Sequence, residues 1–284
     1  GTRQDMVTVY DARTLKLETE IPLSGRLLTG YRHALFAIST DGKTGYVYNM
    51  SPASSVIVVD LVKHEVLSEV EIAGCAMVFA TSKKSVGTIC GDGTFSTIEL
   101  SKISAPVITQ TPVFFAPDDD PIFDNAIEDR MGSRVFMLSY SGTVYEMGMN
   151  GKNEAPASWS LNIAANMEAA STKPLTLAWR PGGRQIMAYN GPTNRLYVLM
   201  HKGEFWTHKE SGEELWEVDV TKRKVLRRYP LENHAQSVAV SNDANPLIFL
   251  NLEDSVHILD AKTLKPLHVI EGMGTVIMSA TKAL

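Results

Sequence analysis

The chain is 284 residues long, 44% apolar and 21% charged, with 27 Lys and Arg against 32 Asp and Glu for a net charge of −5. With no basic stripe to track phosphates, nucleic-acid binding is disfavoured. The longest apolar stretches are strand-sized and broken by turn residues, too short for a membrane span, so a soluble protein is expected.

Residues 6–23 open the chain with Met6-Val7-Thr8-Val9-Tyr10 and Leu17 to Ile21, two β-rich runs joined by Asp11-Ala12-Arg13-Thr14. They read as half of a repeating unit. Its first whole copy spans residues 33–72. A turn at Ser39-Thr40-Asp41-Gly42-Lys43 is followed by the runs Gly45-Tyr46-Val47-Tyr48 and Ser55-Val56-Ile57-Val58-Val59-Asp60, and Val66 to Ile72 ends the unit. The second copy, 75–115, contains Cys90-Gly91-Asp92-Gly93, a hairpin signal because Asp-Gly supplies the positive φ of a tight turn. Cys75 and Cys90 fall in adjacent runs, within reach of a disulfide if the strands pair, although two buried free thiols suit the spacing equally well.

The third copy starts at Asp118-Asp119-Asp120-Pro121-Ile122-Phe123 and runs to about Leu161. Three consecutive carboxylates read as a solvated loop rather than a calcium site, whose ligands alternate with other residues. Good helix formers from Ile163 to Ala170, stopping before Pro174, predict a short inserted helix. The fourth copy covers Trp179 to Tyr229, with a polar excursion from His201 to Glu213, and the fifth covers Gln236 to Ile270. Thr275-Val276-Ile277-Met278-Ser279 reads as a lone strand that completes the blade begun at the N-terminus. An aspartate closes the same run in four copies: Val9-Tyr10-Asp11, Val59-Asp60, Val218-Asp219 and Leu259-Asp260. A period of roughly 40 to 50 residues with about four strands is the signature of a β-propeller blade. The expectation is an all-β chain forming a single domain over residues 1–284, with five complete blades and partial first and last ones.

Nothing in the sequence reads as a catalytic centre. The histidines His33, His64, His201, His208, His234, His257 and His268 are scattered, with no partner at metal-ligand spacing. His201 and His208 flank the charged, aromatic excursion and read as hydrogen-bonded rim residues or as contacts to a partner. There is neither a nucleophile elbow nor a phosphate loop. Trp159, Trp179, Trp206 and Trp216 read as core or interface residues.

The fourth copy, with Trp179-Arg180-Pro181-Gly182-Gly183, Asn194-Arg195-Leu196-Tyr197-Val198-Leu199-Met200-His201 and Thr207-His208-Lys209, resembles the large subunit of the quinoprotein amine dehydrogenases. Ser51-Pro52-Ala53, Gly74-Cys75, Thr88-Ile89-Cys90-Gly91-Asp92-Gly93 and Asp119-Asp120-Pro121-Ile122-Phe123 carry the same resemblance, and the last two segments sit nearer the aromatic amine branch than the methylamine branch. The resemblance covers essentially the whole chain. It implies a seven-bladed propeller and a disulfide between Cys75 and Cys90. It also implies a small light chain bearing tryptophan tryptophylquinone, joined in a periplasmic heterotetramer of two large and two small subunits. Such an assembly oxidatively deaminates a primary amine to aldehyde and ammonia and passes electrons to a blue-copper protein such as azurin or amicyanin. The amine attacks a quinone carbonyl and a carboxylate abstracts a proton, all on the light chain, so this chain is expected to hold no catalytic, cofactor-binding or metal residue. Family members carry roughly another blade and a half before the point matching Val7, including an aromatic residue of the substrate channel. That part is expected to have been removed or left unnumbered, the alternative being a shortened relative that closes with six blades. The contrasting reading is a stand-alone periplasmic β-propeller that binds or scaffolds.

Overall fold

The computed structural model describes residues 1–27, 30, 32–129, 134–149, 154–273 and 278. The expected strand Thr275–Ser279 lies, Met278 apart, outside the described residues. The chain divides into two compact units, one of residues 1–116 with 148–155 and one of residues 117–147 with 156–284.

Unit one opens with a hairpin of β1 (Met6–Tyr10) and β2 (Leu17–Pro22). A meander follows, its first strand split into β3 (Arg26–Leu27) and β4 (Phe36–Ile38), both paired with β5 (Thr44–Ser51), then β6 (Ser55–Asp60) and β7 (Glu65–Glu71). The second meander is β8 (Cys75–Ala80), β9 (Ser85–Cys90), β10 (Phe95–Glu99) and β11 (Val107–Gln110), antiparallel throughout. The second copy, expected to run to 115, has its last strand end at Gln110, because Pro112 has no N–H to give to a ladder. Tyr46, Val56, Val58, Val78, Val86 and Ile98 form a core shared by the two meanders.

Unit two holds three meanders. The first is β12 (Ile127–Asp129), β13 (Arg134–Leu138), β14 (Thr143–Gly148) and β15 (Ala157–Ser160). The second has a first strand split into β16 (Ala178–Pro181) and β17 (Met187–Asn190), then β18 (Arg195–Gly203), β19 (Gly212–Asp219) and β20 (Lys224–Ala235). The third is β21 (Ser237–Val240), β22 (Leu247–Asn251), β23 (Ser255–Asp260) and β24 (Pro266–Glu271). The five expected units thus fold as five meanders. Second and third strands are buried on both faces and read as unbroken apolar runs, as in Val56 to Val59 or Leu196 to Met200. Fourth strands face water, and those at Glu65–Glu71 and Lys224–Ala235 are charged, which discourages pairing with a stray chain.

The recurring aspartate is a turn cap between third and fourth strands. Asp11 Oδ1 accepts from the Thr14 amide and Asp60 Oδ1 from the Lys63 amide, while Asp219 Oδ1 accepts from Lys222 N and Asp260 Oδ1 from Thr263 N. One residue further on, Leu15, His64, Arg223 and Leu264 all stand in the left-handed region, at φ 50 to 59. The ladder shifts register beside each turn, so the motif fixes a bulged connection in every copy. The hydrogen bonds hold the carboxyls of Asp11, Asp60 and Asp260 below the usual range.

The inserted helix is shorter than expected and starts earlier: α1 is the single turn Leu161–Ala164, capped by the Ser160 side chain accepting from Ile163 N. Asn166 turns left-handed at φ 59, with Met167 N bonded to Asn162 O and Asn166 N to Ile163 O. This closing pattern ends the helix despite the alanines around it.

Candidate functional site

In an antiparallel meander, the connection from second to third strand and the connection to the next meander's first strand lie at the same end. Two excursions widen that end in unit two. Residues 161–177 link β15 to β16, and residues 204–211 link β18 to β19, where the other second-to-third connections are confined to 52–54, 91–94, 139–142 and 252–254.

A cationic and aromatic cluster ties the excursions down. Arg180 in β16 is fully buried. Its Nε donates to Gly203 O at 3.1 Å and its Nη2 to Ser171 O at 2.5 Å and Thr176 O at 3.3 Å, so one guanidinium pins both excursions. Its face lies against the Phe205 ring, 5.5 Å from the centroid, and its Nη1 has no partner. Burial pulls this guanidinium's pKa down, with Asp120 acting in the opposite sense. Asp120 is itself held by Ser139 Oγ, Ser141 Oγ and Ser141 N, while Asp118 and Asp119 are exposed.

The two histidines flanking the excursion take different places. His201 is buried in β18, with Nε2 2.7 Å from Thr207 Oγ1. Gly182 and Gly203 press on its ring, and a Cβ at Gly182 would collide with it and with Glu210 O. His208 stacks on Tyr140, ring centroids 4.0 Å apart at 18°, and Tyr140 also meets Phe123 at 4.6 Å and Trp206 edge-on at 6.2 Å. The Nδ1 atoms of both histidines are buried without a partner. Burial lowers both imidazoles' pKa, most of all by desolvation, and Lys209 adds to the effect on His208. Both rings are therefore kept neutral.

At the same end of unit two, Glu210, Glu232, Glu253 and Asp254 surround a hollow of about 560 Å³ that His234 also lines. Among the described residues no three His, Cys, Asp or Glu side chains converge as a metal site. Three of the four tryptophans pack: Trp216 is fully buried and donates Nε1–H to Glu214, Trp159 donates to Glu146, and Trp179 lies 6.0 Å from Trp216 with Arg228 over both rings, while Trp206 is exposed. Sequence reasoning gave Arg180 and Tyr140 no role, and the close approach of Gly182 and Gly203 to His201 emerges only in three dimensions.

In unit one, Cys75 and Cys90 are bonded across β8 and β9, directly opposite in register with Cα atoms 3.9 Å apart. A bulge at Met77, φ 65, lies just beyond the pair. The Asp92-Gly93 turn beside it forms as expected, Asp92 accepting from Thr94 N and Oγ1 and Gly93 standing at φ 86.

Solved structures define the class first. The chain superposes on dihydro-heme d1 dehydrogenase NirN with a TM-score of 0.62 at 14% identity, covering 95% of this chain and 52% of that one. It superposes on the β-propeller domain of Cps50 (Swd1) from Myceliophteria thermophila with a TM-score of 0.57 at 12% identity, covering 94% and 81%. At such identities the likeness shows the fold alone, and that fold is the β-propeller. The sequence is more specific: the profile of the methylamine dehydrogenase heavy chain matches residues 1–282, and the chain belongs to that family. It is 28% identical over 277 residues to the methylamine dehydrogenase heavy chain of Methylobacillus flagellatus and 28% identical over 278 residues to that of Paracoccus versutus. It spans 66% and 63% of their lengths.

Proposed function

We propose that the chain is the large, non-catalytic subunit of a quinone-dependent amine dehydrogenase. The observation that carries the reading is the heavy-chain family match over residues 1–282. The oxidation chemistry is supplied by tryptophan tryptophylquinone on a light chain, two large and two small subunits making up the enzyme in the periplasm. This chain binds that partner and walls the approach of the amine. Residues 1–284 belong to one seven-bladed propeller, the electron acceptor is a blue-copper protein, and the substrate is a primary amine, aromatic amines before methylamine.

The test is co-expression of the full-length protein with the light chain encoded in the same genome, followed by amine-dependent dye reduction. Faster turnover of phenylethylamine or tyramine than of methylamine supports the aromatic assignment, and the reverse order removes it. No turnover of any primary amine by an assembled, quinone-bearing complex contradicts the enzyme reading.

A further inference from the structure

The two excursions of unit two carry apolar side chains that the propeller fold itself does not bury. Leu175 is 84% exposed, Leu177 64%, Trp206 60% and Ile163 58%. All four lie in residues 161–177 or 204–211, at one end of the sheets. Register brings the first excursion to the second, Ala178 pairing with Gly203 directly before the Phe205-Trp206 step. Exposed large apolar side chains gathered on neighbouring connections at one end of a sheet mark an interaction site. Trp206 is also held in place, against Phe205 at 4.7 Å and edge-on to Tyr140 at 6.2 Å, so little side-chain freedom is lost when a partner covers it. Beside the patch, the hollow between Glu210, Glu232, Glu253 and Asp254 is ringed by carboxylates with no Lys or Arg in its wall.

We propose that this end of unit two receives the light chain, with Trp206 and Leu177 entering an apolar recess on it and the acidic hollow facing its basic side chains. The inference rests on the heavy-chain reading above and names the surface. A heavy chain needs a permanent partner, and such interfaces have an apolar centre with a charged rim. Here the exposed apolar residues and the acidic hollow lie at the same end of the sheets, linked through Glu210 of the second excursion, and the carboxylates of the hollow call for basic side chains opposite them.

The test uses the full-length heavy chain and the light chain encoded in the same genome. Trp206→Asp and Leu177→Asp each weaken the heavy–light dissociation constant by at least about tenfold. Val62→Asp, an equally exposed apolar-to-acid change at the β6–β7 turn, leaves it unchanged. Glu253→Lys with Asp254→Lys flattens the salt dependence of assembly, and circular dichroism of the free variants matches the parent. Wild-type assembly with undiminished assembly of Trp206→Asp and Leu177→Asp overturns the surface while the subunit reading stands. Loss only of heavy-chain self-association, read by light scattering, assigns the patch to a second copy and equally overturns it. Failure of the wild-type chain to hold the light chain removes the subunit reading itself.

Discussion

Individual residues divide into those whose role is written in the sequence and those that gain one only in three dimensions. Cys75 and Cys90 stand between the two: their spacing suits a bridge and free thiols equally, the family resemblance implies the bridge, and pairing of β8 with β9 puts them opposite each other. The bridge closes a separation of 15 residues, for which the chain-entropy relation gives about 3 kcal/mol. Cys75→Ser with Cys90→Ser is therefore expected to lose about 3 kcal/mol in urea unfolding, with the fold retained. Arg180 belongs to the second group. A lone arginine in sequence reads as surface, and only the carbonyls of Ser171, Thr176 and Gly203, all brought in by tertiary structure, explain its burial. The histidines of the site carry a pH signature. Burial holds the folded imidazoles of His201 and His208 below the unfolded value of about 6.5, so the unfolded chain takes up protons that the folded chain refuses. Stability is full above about pH 6.5 and falls as pH drops below it. The melting temperature is expected to decline between pH 7.5 and 5.5, and to decline less in His208→Gln. Asp11, Asp60 and Asp260, whose carboxyls titrate below the usual range, do not act in that window.

Elements were legible where local chemistry and burial agree. The five meanders follow from strand-length apolar runs punctuated by Asp-Gly, Asn-Asp and Asp-Ala turns, and the closing aspartate marks the same corner each time because its carboxylate replaces a ladder partner for the turn amide. The helix was overextended because propensity favoured residues 163–170, while Asn166 in a left-handed conformation stops it after one turn. The split first strands were not visible either, since β16 and β17 share one partner strand across the Gly182-Gly183 break. Between the last two meanders of unit two, Arg227 joins elements that sequence does not connect: Nε to Glu217 Oε2, Nη1 to Lys262 O at 2.7 Å and Nη2 to Ala261 O at 2.6 Å. Arg195 shares Glu217 and pairs with Asp219 at 3.0 Å. Arg134 occupies the corresponding first position of its second strand and pairs with Asp129 at 2.9 Å and Glu146 at 3.6 Å. Arg227→Ala is expected to cost about 1 to 2 kcal/mol, discounted for its partial exposure. Arg227→Lys recovers only part of that, because an ammonium cannot span two carbonyls and a carboxylate as the fork does. Chemical denaturation of the three proteins measures both effects.

At the scale of the whole molecule, repetition made the fold class readable: each meander restates one pattern, and a period of that length has few architectures to serve. Function was not readable from the same pattern, because a propeller is a scaffold whose connections carry its specificity. What distinguishes this chain lies in two excursions, 161–177 and 204–211, which the repeat does not require. They are assigned to contact with a partner, as proposed above. The most direct measurement is the absorption spectrum of the two chains separated after purification of the intact protein from its native host. A small chain bearing the quinone band, beside a heavy chain with only protein absorbance, is the predicted result. A partnerless heavy chain, or a quinone band that stays with the heavy chain, would contradict it.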